Sequence, residues 1–369
     1  MTPERVCVFA HLREPGLGDL IQRNIFLALL RRAFPAADVV LVVGEHIAQR
    51  HAGYFAAHSY ATRVLRCPPG HDAGGPGWAE FTADLRAESF DLCVLDPDSH
   101  GLDSRVAARC GIPSRLGFPR GETTDPWLTV PVRIARPLFG LPDLYEYASG
   151  LARAIGLPAL RPSEVVPPLP RQPEPSAPAE RPQVAVHPGG AKHWNRRWPA
   201  ASYALLCVEL AKAADLDLIL IGSADEEDEL AGLTARIRSD LPGARVRTEC
   251  GGSLNHLADV VAAADVLVGN DSAPAHIAAA VRTPSVVLYG PTMTEFMWAR
   301  AYPRQTGINL RYECQMVRNM PRGEGPVTMP CAHRCHYPYV AEDGPYPRCL
   351  SDIAVATVVD AVRRSLPER

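Results

Sequence analysis

The sequence lacks what would tie it to a membrane or to nucleic acid. No stretch of its 369 residues approaches 18 uninterrupted apolar positions, so no segment reads as a membrane-spanning helix. The opening residues carry an apolar run too short for a signal-peptide core. The chain is therefore expected to enter its first strand directly and to work in the cytoplasm. A dominant charge is missing as well: 38 Lys and Arg stand against 41 Asp and Glu, for a net charge of -3. This excludes the basic footprint of a nucleic-acid binder and means that any anion must be met by a local cluster. The dinucleotide fingerprint G-x-G-x-x-G is also absent, because glycines 16 and 18 would need a third at 21, which is Ile21. With 47% apolar and 21% charged residues, the composition is that of an ordinary globular protein.

What the sequence does have is length and alternation. A chain of this size exceeds what one hydrophobic core supports, so two domains are expected. Apolar runs at 6–10, 38–44, 61–65 and 90–96 read as buried strands, and the amphipathic stretch 20–33 as the first helix. Residues 161–182 are crowded with proline, which fixes φ and removes donors, and read as a linker. The alternation then restarts. Strands are expected at 183–187, 216–222, 245–247, 266–269 and 285–289, with helices at 200–214, 225–238, 254–264 and 273–281.

Strands alternating with helices imply parallel sheets covered on both faces. The expected class is α/β, with two Rossmann-like domains facing each other across a cleft. The first spans 1–160 and the second 183–352, and a terminal helix within 353–369 is expected to pack back on the first. Clefts at the C-terminal ends of strands are where such sheets bind ligands.

Three segments carry chemistry. Gly16-Leu17-Gly18-Asp19 joins the first strand to the first helix and presents Asp19. A carboxylate there either removes a proton from an attacking hydroxyl or caps the helix it begins. The second segment, 187–199, reads HPGGAKHWNRRWP. Its glycines let the backbone approach a diphosphate, and Lys192 and Arg196 supply charge and, from arginine, forked donors. The alternative is a solvated basic loop over packed tryptophans. The third, Asn270-Asp271-Ser272-Ala273-Pro274-Ala275-His276, opens a helix of small residues after a strand. Donors at a helix N-terminus form an anion site, and Pro274 suits the first turn.

In this order, HPGG, R-x-W-P, G-x-x-x-E, NDSAPAHIAAA and LYGPT resemble glycosyltransferase family 9, which includes the ADP-heptose heptosyltransferases. The likeness touches both halves and is strongest over 184–292. It implies a GT-B fold and an inverting transfer of a sugar, a heptose, from a nucleoside-diphosphate donor, ADP-heptose, with the donor held mainly by the second domain. The acceptor is a carbohydrate, small molecule or protein that the sequence does not identify, and no cofactor is required. By the same resemblance Asp19 is the base, Lys192 and Arg196 meet donor phosphate, Glu226 hydrogen-bonds the ribose, and Asp271, Ser272, Ala273 and His276 hold the diphosphate and sugar. The chain departs from the family pattern at Ala273, where glycine is usual, at Gly252, and in IQRNIFL, where a proline is missing. A sugar-nucleotide epimerase or hydrolase of the same fold, or a non-catalytic nucleotide-binding module, are the competing readings.

Cys314, Cys331, Cys335 and Cys349 crowd the last sixth of the chain, within the segment 314–349. Such a cluster reads as a structural zinc or iron site, as free thiols, or as disulfides. Cys7, Cys67, Cys93, Cys110, Cys207 and Cys250 lie in or beside apolar runs and read as core residues.

Overall fold

The structure is a computed structural model. It describes residues 2–10, 16–57, 59–68, 75–97, 101–119, 125–134, 143–169, 171, 173, 179–190, 196–291, 301–312, 314, 335, 338–341 and 344–367. The described residues before and after position 172 form two compact units.

The first unit runs β1 (Arg5–Phe9), α1 (Leu17–Ala33), β2 (Asp38–Gly44), α2 (Glu45–Arg50), α3 (Ala52–Ala57), β3 (Arg63–Cys67), α4 (Trp78–Ala87), β4 (Leu92–Leu95), α5 (Gly101–Arg109), β5 (Ser114–Gly117), β6 (Val130–Pro131) and α6 (Leu144–Ala154). Its strands form one parallel sheet in the order β3-β2-β1-β4-β5-β6. The order reverses between β1 and β4, which makes the C-terminal ends of those two strands the switch point of the sheet. Alternate residues Cys7, Phe9, Val40, Val42, Cys93 and Leu95 share one sheet face. They pack against Trp78, Phe81 and Leu85 of α4 and Val106 and Ala107 of α5.

The second unit runs β7 (Gln183–His187), α7 (Ala200–Ala213), β8 (Asp217–Gly222), α8 (Glu227–Asp240), β9 (Val246–Cys250), α9 (Leu254–Ala263), β10 (Val266–Asn270), α10 (Ala273–Val281), β11 (Ser285–Leu288), β12 (Gln305–Ile308), β13 (Tyr339–Ala341), β14 (Gly344–Tyr346), α11 (Arg348–Ser351) and α12 (Val355–Ser365). Six of its strands form a second parallel sheet, β12-β11-β10-β7-β8-β9, with its switch point between β7 and β10. Within the second unit α12 packs on α7 and β11. The reason lies in its apolar face, since Val358, Ala361 and Val362 join the core of α7, α8 and the β7–β11 sheet.

Five of the six cysteines read as core are buried, and Cys250 is half-buried. Burial pushes the Cys67 and Cys207 thiols up to about 12, so they stay protonated and inert. Among the described residues no helix is long and apolar enough to cross a membrane.

Candidate functional site

In the second unit the two central strands end side by side, with Gly269 of β10 in register with His187 of β7. A Cβ at Gly269 would stand 2.7 Å from the His187 carbonyl oxygen, so only glycine lets the strand ends approach this closely. Asn270, buried at the tip of β10, then organises the loop leaving β7. Its Nδ2 donates to the carbonyls of Pro188 at 2.8 Å and Gly189 at 2.9 Å, and its Oδ1 accepts from the Trp198 amide at 3.0 Å. Both arms of the 188–198 loop are thereby tied to one side chain, and the buried Trp198 indole anchors it further by donating to the Ile353 carbonyl at 3.2 Å. Lys192 falls in 191–195, outside the described residues.

Glu226 crosses from the end of β8 to the same loop. Its Oε2 accepts from the Ser223 amide at 2.8 Å and hydroxyl at 3.0 Å, and its Oε1 from the Gly190 amide at 3.0 Å and Arg197 at 3.3 Å. A carboxylate offers about four lone-pair sites, and all four are met here. Burial opposes the charge on Glu226, but the donors of Ser223 and Gly190 outweigh it and hold the carboxyl below its usual range. The loop passes so close that a Cβ at Gly189 would lie 2.0 Å from Glu226 Oε1. Arg197 is further committed to Glu229 at 2.7 Å and to the Gly190 carbonyl at 3.0 Å. Arg196 stands beside it, half-buried.

The third segment lies against these loops. Ser272 precedes α10 in an extended conformation, yet its side chain does not cap the helix. The hydroxyl pairs instead with His187 Nδ1 at 2.9 Å and donates to the Asn270 carbonyl at 3.3 Å. The Ser272 side chain thus leaves the amide end of α10 uncapped, with Ala273 at its first position and Pro274 next, and such an end is suited to an anion. Asp271 is half-buried beside it, its amide donating to the Leu288 carbonyl at 3.3 Å. One turn on, the buried His276 pairs through Nδ1 with the Tyr302 hydroxyl at 2.9 Å. Burial raises the Tyr302 phenol well above its usual range, so that hydroxyl keeps its proton. Burial likewise pushes the His187 imidazole down to about 4, so that it is neutral in the folded protein.

Asp19 belongs to the first unit. It is the third residue of α1 and its Oδ2 accepts from the Gly16 amide at 2.8 Å, the reciprocal half of a capping box. One carboxylate oxygen thus serves the helix start, while the side chain as a whole is 46% exposed. Beneath it Arg23 forms a buried ion pair with Asp96, Nε to Oδ2 at 2.5 Å and Nη2 to Oδ1 at 2.7 Å.

The structure therefore brings Glu226, Ser272 and Ala273 to one end of the second sheet. It also adds partners that motif reading did not assign a role: His187, Asn270, Arg197, Tyr302, Arg23 and Asp96. Each is joined to its partner by hydrogen bonds spanning many positions, a signal a single sequence does not carry. Of the cysteine cluster, Cys314 is exposed, Cys335 half-buried and Cys349 buried, while Cys331 lies outside the described residues. Among the described residues no group of three or more His, Cys, Asp or Glu side chains could hold a metal ion.

Comparison with known proteins identifies the lineage. The sequence profile of glycosyltransferase family 9 (heptosyltransferase) matches residues 78–327. The lipooligosaccharide heptosyltransferase 2 of Haemophilus influenzae is 33% identical over 117 residues, covering 32% of this chain and 34% of that protein. The lipopolysaccharide heptosyltransferase 2 of Escherichia coli is 32% identical over 119 residues, with the same coverage. The aligned stretch thus spans about a third of the length of these curated relatives. In fold the chain is similar over 98% of both chains to E. coli ADP-heptose lps heptosyltransferase II, with a TM-score of 0.64 at 20% identity. An E. coli heptosyltransferase solved with ADP-2-deoxy-2-fluoro heptose gives a TM-score of 0.57 at 18% identity, covering 85% of this chain and 95% of that one. Two six-stranded parallel sheets flanked by helices are the GT-B architecture of these structures. With the profile matched over more than half of its length, the chain belongs to glycosyltransferase family 9.

Proposed function

We propose that the protein is an inverting glycosyltransferase that moves a heptose from ADP-heptose to an acceptor hydroxyl or amine. The observation that carries this reading is the convergence at the end of the second sheet: the His187–Gly190 loop, the Ser272 hydroxyl and the start of α10, which Ser272 does not cap, meet where β7 and β10 part. Backbone amides, hydroxyls and a helix N-terminus are what a diphosphate needs in a chain of no net positive charge. Ser272, Ala273 and Asp271 line the diphosphate, and Lys192 and Arg196 neutralise it. His276 faces the sugar. Glu226 shapes the glycine loop and takes a ribose hydroxyl in exchange for its longest contact, Arg197 at 3.3 Å.

In the proposed step the acceptor oxygen or nitrogen attacks the anomeric carbon as the bond from that carbon to the diphosphate oxygen breaks. The electron pair leaves with ADP, the acceptor proton passes to Asp19, and a single displacement inverts the anomeric centre. No resident metal or cofactor is part of this scheme. We further propose that the 314–349 cysteines play a structural part rather than a chemical one.

The test is release of ADP from ADP-heptose, followed with truncated lipopolysaccharide core oligosaccharide as acceptor and with water alone. Asp19→Asn should lower the rate by about 10²- to 10⁴-fold, the range of a lost general base, while leaving ADP binding intact. An undiminished rate in Asp19→Asn would refute the base assignment. ADP-heptose converted to a new sugar nucleotide without release of ADP would instead favour an epimerase.

A further inference from the structure

Arg23 and Asp96 form a buried ion pair with no part in the scheme above. Arg23 sits on the second turn of α1 and is 4% exposed; Asp96 directly follows β4 and is 5% exposed. The Asp96 amide donates to the Phe9 carbonyl at 3.1 Å, which pins Asp96 at the switch point of the first sheet. Desolvating two charges costs several kcal/mol per ion, and a buried pair often returns no more than an apolar pair of the same volume would. What such a pair supplies instead is geometry, because a guanidinium is a rigid fork of five donors.

Here Nη2 donates to Asp96 Oδ1 at 2.7 Å, Nε stands in ion-pair contact with Oδ2 at 2.5 Å, and Nη1 points up the helix. Nη1 donates to the Asp19 carbonyl at 2.8 Å and lies 3.9 Å from the Asp19 carboxylate. The adjacent Leu20 carbonyl accepts from the Tyr54 hydroxyl at 2.6 Å. Burial raises the Tyr54 phenol above its usual range, so it stays a donor. Two successive carbonyls of the first turn of α1 are therefore gripped by side chains rooted in the core, at the residue that carries the candidate base and at its neighbour. An α-helix already satisfies these carbonyls internally, so the extra donors do not fill a vacancy; they restrict how the turn can move.

We propose that Arg23, seated by Asp96, is the positioning residue for Asp19: it fixes the first turn of α1 so that the carboxylate meets the attacking group in one orientation. This rests on the reading of Asp19 as the base. Catalysis is sensitive to such placement, since a displacement of about 1 Å in a reacting group can cost on the order of 10²-fold in rate.

The experiment compares Arg23→Met, Asp96→Asn and the double variant, measuring kcat and KM for ADP release from ADP-heptose alongside the melting temperature. Each single variant strands a buried charge and should melt lower. The double variant removes both charges and should regain most of that loss. Its kcat should nonetheless stay down by about 10- to 100-fold with the ADP-heptose KM within about twofold of the parent, because the grip on Asp19 is gone. Recovery of kcat together with melting temperature would overturn the proposal and leave the pair purely structural. A loss confined to KM would also overturn it.

Should the double variant fail to fold, Arg23→Lys keeps the charge but cannot reach Asp96 and the Asp19 carbonyl with the same fork. It should retain the melting temperature and lose kcat, and unchanged kcat would sink the idea. The two readings fail separately. If Asp19→Asn keeps the full rate, both fall; if Asp19→Asn is inactive while the double variant is fully active, only the positioning role falls.

Discussion

His187 shows how a single side chain reports on its site. It is buried at the end of β7, and that burial pushes its imidazole down to about 4 from an ordinary value near 6.5. The folded protein therefore holds it neutral through the whole range in which the unfolded chain takes up a proton. As pH falls through about 6.5 the unfolded state gains a proton that the folded state refuses, so stability is lost, and the loss stops only near pH 4. Between pH 7 and pH 5 this one residue should cost about 2 kcal/mol of unfolding free energy. His187→Asn, which cannot titrate, should show a decline smaller by that amount in urea titrations at the two pH values. Equal declines in the parent and the variant would mean that the ring is charged, or freely hydrated, inside the fold. A neutral His187 also matters chemically, because its ring is the partner of the Ser272 hydroxyl. Because that hydroxyl donates to the Asn270 carbonyl, it accepts from His187 Nδ1, which fixes the tautomer of the neutral ring.

At the scale of elements, the tightest constraint is the approach of β7 and β10. A methyl group at Gly269 would meet the His187 carbonyl at 2.7 Å, and that carbonyl belongs to the backbone, so it cannot swing aside like a side chain. Gly269→Ala should cost about 1 to 3 kcal/mol, the usual price of overpacking, and should weaken ADP binding as the strand ends separate. Chemical unfolding and calorimetry of the variant would check both effects. The same contrast between interior and rim explains what the sequence revealed. Interior strands such as DVVLVVG and DLILIG are buried on both faces and announce themselves as apolar runs. Edge strands do not. In β9, Arg247, Thr248 and Glu249 face outward or only half inward, so the expected 245–247 covers only its start, and β12, reading QTGI, has no apolar run to notice. At an edge of the first sheet the expected 61–65 begins before β3, whose Arg63 is spent on Asp38 and Glu88 rather than on the core. The site divides in the same way. HPGG and NDSAPAH were legible because each is contiguous. The links that turn them into one constellation, His187 to Ser272 across 85 positions and Asn270 to the 188–198 loop across 72 to 82, were not.

At the scale of the whole molecule, the division into two compact units shapes how the donor should act on stability. Each unit has its own sheet and its own buried cluster, and the residues proposed to hold the diphosphate all belong to the second. A ligand that binds only the folded form stabilises it by RT ln(1 + [L]/Kd), about 2.7 kcal/mol at a hundredfold excess over Kd. Proteins of two such units need not unfold in one step, so a single melting temperature is not the right observable. In scanning calorimetry ADP should raise the transition of the second unit and leave that of the first where it was. Gly269→Ala assigns the transitions, because its strain lies in the second sheet and should lower only the transition that ADP raises. Arg23→Met should do the converse, lowering the transition that ADP leaves alone. If ADP moved only the transition that Arg23→Met lowers, the donor would bind the first unit and the division of labour proposed here would be reversed. If ADP and both variants moved one shared transition, the two units would unfold together, and the site would have to be located by direct binding to the Gly269→Ala protein instead.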